Sequence, residues 1–245
     1  MSGWLGRAAR RGILTTHYPS TGATDDEVPP TGRAPRSVDG RPPSDSAIAG
    51  CPVRAISAAG VDPGRCIRCA RCLAHGLEFR GPIESALPTR AVSDPPAGAP
   101  LPTGAPLRGL GRSLHVFLVD VGSCQACNLE VLGLAHPQYD ASRLGIFFTN
   151  SPRHADVLLV VGVPTAAMTE PLRRTYEAMP APKAVIAIGA CAIGGGVFAG
   201  GPDLAESVDR IVPVDLYVPG CPPPPIEILD ALLRLIGRSR TEGGP

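Results

Sequence analysis

From Ser113 to Gly237 the chain alternates short β-branched apolar runs with amphipathic stretches. The runs are LHVFLVDVGSC, RLGIFFTN, ADVLLVVGVP, KAVIAIGAC and DLYVPGC, each closed by a turn or a polar residue. Runs of this length and composition read as strands covered on both faces. Helical patterns separate them over Gln125–Ala135, Ala166–Met179 and Pro223–Ile236. In the last, prolines precede IEILDALLRLIG and Gly237 closes the helix. Strands alternating with helices predict an α/β domain with a parallel sheet over residues 113–237.

Three of those runs end at cysteine. Cys124 and Cys127 follow the first, Cys191 the fourth and Cys221 the fifth. Each therefore lies just past the C-terminal end of a strand, where open parallel sheets collect their ligands. Gly122, Gly189 and Gly220 stand shortly before them and permit tight turns. Dispersed thiols converging on one sheet edge read as one cluster site, the alternative being buried structural cysteines. The glycine run GACAIGGGVFAGG, Gly189 to Gly201, has little side-chain volume and would let another backbone approach closely, or else is a flexible loop. Glu130 stands three residues after Cys127. It reads either as a first-turn carboxylate favoured by the helix dipole or as a group that carries protons or orients a partner.

The other half of the eight cysteines is local: Cys51, Cys66, Cys69 and Cys72. No signal peptide is visible in the basic start MSGWLGRAARRGILTTHYP, so metal or redox chemistry is expected rather than a disulfide scaffold. Two-cluster bacterial ferredoxins carry C-x2-C-x2-C-x3-C-P twice, and the fourth cysteine of each run ligates the other run's cluster. Cys66, Cys69 and Cys72 fit the first three of a second run, and Cys51, followed by Pro52, fits the fourth of a first. The ligands of the other cluster would stand at 41, 44, 47 and 76, where the chain has Arg41, Ser44, Ala47 and Gly76. One complete ligand set is present and one is wholly absent. Zinc is the alternative for this site, although zinc motifs usually read C-x2-C twice. Arg65, Arg68 and Arg71, interleaved with the cysteines, either help to offset the cluster's negative charge or, as charges between cysteines more often are, are solvated.

This gives a leader over 1–45 that reads as irregular or disordered and a small ferredoxin-like module over 46–80. A Pro-rich linker with seven prolines covers 81–112, and the α/β domain and a tail over 238–245 complete the chain. A net charge of +1 makes no case for nucleic acid, and the longest apolar runs are too short to span a bilayer.

The segments DVGSCQACNLEVLGLAHPQYD, NSPRHADVLLVVGVPTAAMTEPLRRTYEAMPAPKAVIAIGACAIGGGVF and VDLYVPGCPPPPIEILDALLRLIG resemble the small subunit shared by nickel–iron hydrogenases and complex I. The resemblance covers residues 113–237 and implies a flavodoxin-like fold. It also implies one 4Fe–4S cluster on Cys124, Cys127, Cys191 and Cys221, close to a partner large subunit. Complex I subunits carry adjacent cysteines at the first ligand segment. The C-x2-C form here, with Glu130 three residues on, is similar to energy-converting and formate hydrogenlyase-type small subunits, in which that glutamate lies near the cluster. RRGILTTHYP ahead of a ferredoxin pattern resembles the polyferredoxin-like subunit that usually accompanies such a chain.

The expectation is an electron-transfer subunit with two 4Fe–4S clusters and no catalytic centre of its own. It would serve a hydrogenase-like large subunit, with an external electron donor, in a complex held at the cytoplasmic face of the membrane by other subunits. Two alternatives stay open: a complex I-like assembly that passes electrons to quinone, and a zinc-stabilised scaffold or assembly protein.

Overall fold

The computed structural model describes residues 15–20, 34–38, 40–79, 107–110, 112–205 and 207–238. The cysteine module is built from turns and very short elements. Strand β1 (Pro35–Ser37) leads to helix α1 (Asp45–Ala49), the hairpin strands β2 (Ile56–Ser57) and β3 (Gly60–Val61), a 3-10 turn over Arg71–His75, and β4 (Leu77–Phe79). β4 returns antiparallel to β1, with Arg36 opposite Glu78. The Ser44 hydroxyl caps α1 by accepting from the Ala47 amide at 3.3 Å. β1 lies inside the stretch expected to be leader, so the module closes on itself from residue 35 rather than 46. Three residues, PRS, show no alternation by which a strand could be read.

The second body is the expected parallel sheet. Its strands are β5 (Leu114–Asp120), β6 (Ile146–Phe148), β7 (Val157–Val161), β8 (Ala184–Ile188) and β9 (Leu216–Val218). All neighbours pair parallel in the order β6-β5-β7-β8-β9. That is the flavodoxin-like order, in which the strand sequence reverses direction at the β5/β7 gap. Helices α2 (Ala126–Gly133), α3 (Ala166–Ala178), α4 (Gly189–Gly194) and α5 (Pro225–Leu235) complete it. Every residue of β7 and β8 is buried. Val157, Leu159 and Val161 face a core layer shared with Leu229 and Leu232 of α5, while Leu158 and Val160 face a layer shared with Leu172 of α3. The two-residue period of a strand thus feeds two apolar layers, which is why these strands read as unbroken apolar runs.

α4 is the element that the sequence pattern does not give. It follows β8 directly and begins and ends on glycine, a poor helix former.

Two other segments pack where irregular chain was expected. The Thr16 amide donates to the Gln138 carbonyl at 2.7 Å, and Arg143 donates to the carbonyls of Thr16 at 2.5 Å and Tyr18 at 3.0 Å. Tyr18 is buried in the α/β core, where its hydroxyl donates to Asp230. Leu107, at the end of the expected linker, is fully buried in the same layer. The rest of the expected leader, apart from 34–38 and 40–45, the linker over 81–106 and the tail beyond Arg238 lie outside the described residues.

The module rests directly on the α/β domain. A Cβ on Gly64 would come within 2.7 Å of Ile193 Cγ2, and one on Gly194 within 3.0 Å of Arg65 Cγ. Both α/β partners belong to α4.

Candidate metal centres

The first centre is assembled at the C-terminal edge of the sheet. β5 ends on Asp120, whose carboxylate organises the turn that follows. One oxygen accepts from the amides of Gly122 at 2.9 Å and Ser123 at 2.8 Å. The other accepts from the Ser123 hydroxyl at 2.7 Å, Gln125 Nε2 at 3.0 Å and Asn128 Nδ2 at 2.8 Å. Burial raises the Asp120 pKa, but these hydrogen bonds to the ionised form outweigh it and hold the group below the usual carboxylate range. The turn they fix presents Cys124, exposed, and Cys127, buried in the first turn of α2.

Cys191 arrives on α4. Gly189 has φ +87°, and a Cβ there would stand 2.6 Å from Cys127 Sγ, so the start of α4 is pressed against the Cys127 thiol. Cys221 arrives on the turn after β9. The Ala190 amide donates to the Gly220 carbonyl at 2.7 Å, which ties the Cys191 helix to the Cys221 turn.

Burial pushes the Cys127 thiol up to about 12, and repulsion from Cys191, Cys221, Cys124 and then Glu130 adds to it. Burial likewise pushes Cys191 up to about 11, helped by Cys221 and Cys124. Cys127, Cys191 and Cys221 are thus raised as free thiols, and a cationic centre there would be needed to make them thiolates, its binding releasing their protons. Glu130, half-buried on α2, has its carboxyl raised by burial.

The second centre is the cysteine module. Cys66 is buried, Cys51 and Cys72 are half-buried, and Cys69 is exposed. All four line one cavity of about 70 Å³, with Val53, Ile56 and Ile67 as apolar wall. Backbone amides point at the sulfurs: Ala55 N–H donates to Cys51 Sγ at 3.2 Å and Arg68 N–H to Cys66 Sγ at 3.4 Å. Positive φ at Arg68 (54°) and Ala70 (65°) reverses the chain between the cysteines. Burial pushes Cys66 up to about 12 against the pull of the Arg68 amide and charge, and Cys72 and Cys51 raise it further. The positions that a second ferredoxin cluster would use have other duties. Ser44 caps α1, Ala47 is buried against the cavity, and Gly76 closes the 3-10 turn at φ +81°.

Among the described residues no group of three or more His, Cys, Asp or Glu closes on a point that would hold a single metal ion.

Two readings of the sequence need amendment, and one residue is added. Arg68 is not solvated: it is buried, and its side chain crosses into the α/β domain. The glycine run serves the chain's own backbone. A Cβ on Gly195 would meet Ala199 Cα at 2.9 Å, and one on Gly196 would meet Cys191 Sγ at 2.8 Å. Asp120 went unnoticed as a determinant of the site, although D-x-G-S, with a carboxylate two residues before glycine, is a turn signature that could have found it.

The family model for the NADH ubiquinone oxidoreductase 20 kDa subunit matches residues 124–235, from the first of the sheet-edge cysteines through α5. The chain is 49% identical over 124 residues to the probable membrane-bound hydrogenase subunit mbhJ of Pyrococcus furiosus, spanning 51% of this chain and 74% of that one. It is 42% identical over 131 residues to formate hydrogenlyase subunit 7 of Escherichia coli, spanning 54% of this chain and 51% of that one. A chain of the archaeal membrane-bound sulfane sulfur reductase superposes with a TM-score of 0.47 at 32% identity, over 56% of this chain and 74% of that one. Among the described residues no helix is long and apolar enough to cross a membrane. The five-stranded sheet, the ligand segments in their order at its edge and this level of identity together place the chain in the family of the complex I 20 kDa subunit and the nickel–iron hydrogenase small subunit, as a subunit of an oxidoreductase.

Proposed function

We propose that this chain is the iron–sulfur electron-transfer subunit of a multisubunit, nickel–iron hydrogenase-like oxidoreductase. It would hold two 4Fe–4S clusters and relay electrons between an external one-electron donor or acceptor and a catalytic large subunit. The observation that carries the reading is the pairing of two complete four-cysteine sets on modules that touch. Cys51, Cys66, Cys69 and Cys72 hold one cluster, and Cys124, Cys127, Cys191 and Cys221 hold the other. Each cluster, when bound, supplies one-electron redox chemistry. A cubane spreads its thiolates over separate iron corners, so the sulfurs need not close on a single point.

The protein's own part is to bind and insulate. The thiols would lose their protons to solvent as the iron takes the sulfurs. The amides of Ala55 and Arg68 offset the negative charge on sulfur. The Asp120 hub fixes the Cys124–Cys127 turn, and the apolar walls keep water back. Leu129 and Leu132 on α2, with Val197 and Phe198 just after α4, are exposed apolar side chains on the segments that carry Cys127 and Cys191. They suit burial against a large subunit, and Glu130 on the same helix would pass a proton or orient that partner. Membrane association at the cytoplasmic face would come through other subunits.

The test is anaerobic purification of the full chain with iron and sulfide analysis. About eight irons and eight acid-labile sulfides are expected. Stoichiometric zinc without sulfide overturns the reading in favour of a scaffold. A co-purifying large subunit that contains nickel supports the hydrogenase assignment, whereas a nickel-free partner with quinone reductase activity replaces it with a complex I-like one.

A further inference from the structure

Arg68 starts in one cysteine group and ends beside the other. Its backbone stands between Cys66 and Cys69, and its amide donates to Cys66 Sγ. Its guanidinium lies inside the α/β domain. Nη2 donates to the Pro219 carbonyl at 2.9 Å and to Glu227 Oε2 at 3.3 Å, and Nη1 donates to Glu227 Oε1 at 3.4 Å. The Arg68 side chain is 5% exposed and that of Glu227 is 0% exposed. Pro219 stands two residues before Cys221, and Glu227 occupies the first turn of α5, which the proline run joins to Cys221. The neighbouring contacts join the same two sites, because Gly64 and Arg65 abut Ile193 and Gly194 on the helix that carries Cys191.

A buried ion pair of this kind contributes little net stability, since an apolar pair of similar volume would serve the fold as well or better. What an apolar pair could not supply is a directed lock: the planar fork of arginine fixes the geometry of both partners.

We infer that Arg68 is a positioning residue that couples the two centres: locked by Glu227 and the Pro219 carbonyl, it holds the Cys66–Cys69 segment against the Cys221 turn and so fixes the separation of clusters held at the two sites. This rests on the two-cluster reading above. An electron passing between them would do so with no bond made or broken and no proton moved.

The test uses the full chain, purified anaerobically, as wild type, Arg68→Lys and Arg68→Met/Glu227→Leu. The double variant leaves no uncompensated buried charge. Iron and sulfide are measured first, so that a wild type without clusters sinks the two-cluster reading before any variant is compared. With clusters present, the dithionite-reduced wild type should show an electron paramagnetic resonance spectrum broadened by interaction between the two centres. The double variant, at wild-type iron content, should show two narrower independent signals. Arg68→Lys loses the fork, so at wild-type iron content it should weaken the interaction. An unchanged line shape in an iron-replete double variant overturns the inference. Should the double variant lose iron, Arg68→Lys decides alone, and a spectrum identical to wild type then overturns it.

Discussion

The two cysteine sites solve the same problem in opposite ways. The site from Cys51 to Cys72 is local: turns, positive-φ residues and a two-residue hairpin wrap the chain around a small cavity. The site from Cys124 to Cys221 is dispersed, and its cysteines share one sheet edge because β5, β8 and β9 are parallel members of one sheet. The local site is therefore organised by backbone conformation, and the dispersed one by a hydrophobic core. Damage to the core should spread to the dispersed ligands, whereas damage to the local site should stay there.

The sharpest way to break that distinction is in the sheet. Leu159 is fully buried in the middle of β7, and truncation of such a leucine costs about 2–5 kcal/mol. Leu159→Ala should lower the thermal midpoint clearly and reduce occupancy of the dispersed site, read by thermal melts and by iron analysis of the purified chain. Retention of full iron and an unchanged midpoint would mean that the sheet is not what assembles the four ligands.

A ligand deletion in the local site gives the complementary result. Cys69 is exposed and lies in no core layer. Cys69→Ala should remove the module's cluster and leave about four irons, with the α/β domain folded by circular dichroism. The direct packing of Gly64 and Arg65 on α4 makes this a real trial. If the second cluster goes as well, the local site supports the dispersed one and the separation fails.

Glycine substitutions probe the same contrast at smaller amplitude. Gly189 and Gly76 both have positive φ, +87° and +81°, so alanine at either carries about 1–2 kcal/mol of left-handed strain. Only Gly189 has a sulfur in the way, with Cys127 Sγ at 2.6 Å from a Cβ, whereas a Cβ on Gly76 meets nothing within 4 Å. Gly189→Ala should therefore cost iron at the dispersed site in addition to the strain. Gly76→Ala should shift the melting midpoint by the strain alone, with iron content intact.

What the sequence could disclose follows the same line. The strands were legible because burial on two faces leaves unbroken β-branched runs, and ferredoxin spacing is a local code that groups Cys51, Cys66, Cys69 and Cys72, which line one cavity. α4 was hidden because its own residues argue against a helix, which forms by packing on β7 and β8 and by the Ala190 bond to Gly220. Arg68 was misread because a charge flanked by cysteines says nothing of a partner 159 residues away. The docking of Thr16 and Tyr18 depends likewise on Arg143 and Asp230, which no local pattern links to TTHYP.

The smallest expected effect concerns pH. The Asp120 carboxylate holds the Cys124–Cys127 turn together, and its folded pKa lies below its unfolded value because, against burial, its hydrogen bonds favour the ionised form. A depressed carboxylate contributes stability that is fully present above the unfolded pKa and is lost as the pH falls through the folded one. Acid should therefore loosen the Cys124–Cys127 turn. The Asp120 side chain is only half-buried, so solvent screening keeps the loss a modest share of the total. Asp120→Asn removes the charge at every pH and should flatten this part of the acid profile while costing on the order of 1 kcal/mol at neutral pH. The check is a pair of melting curves taken between neutral and mildly acidic pH, with iron release from each site followed in parallel. Iron should leave the dispersed site earlier in wild type than the melting curve alone requires. An acid profile that Asp120→Asn leaves unchanged would move the acid-sensitive group elsewhere and leave the turn to be held by the sheet alone.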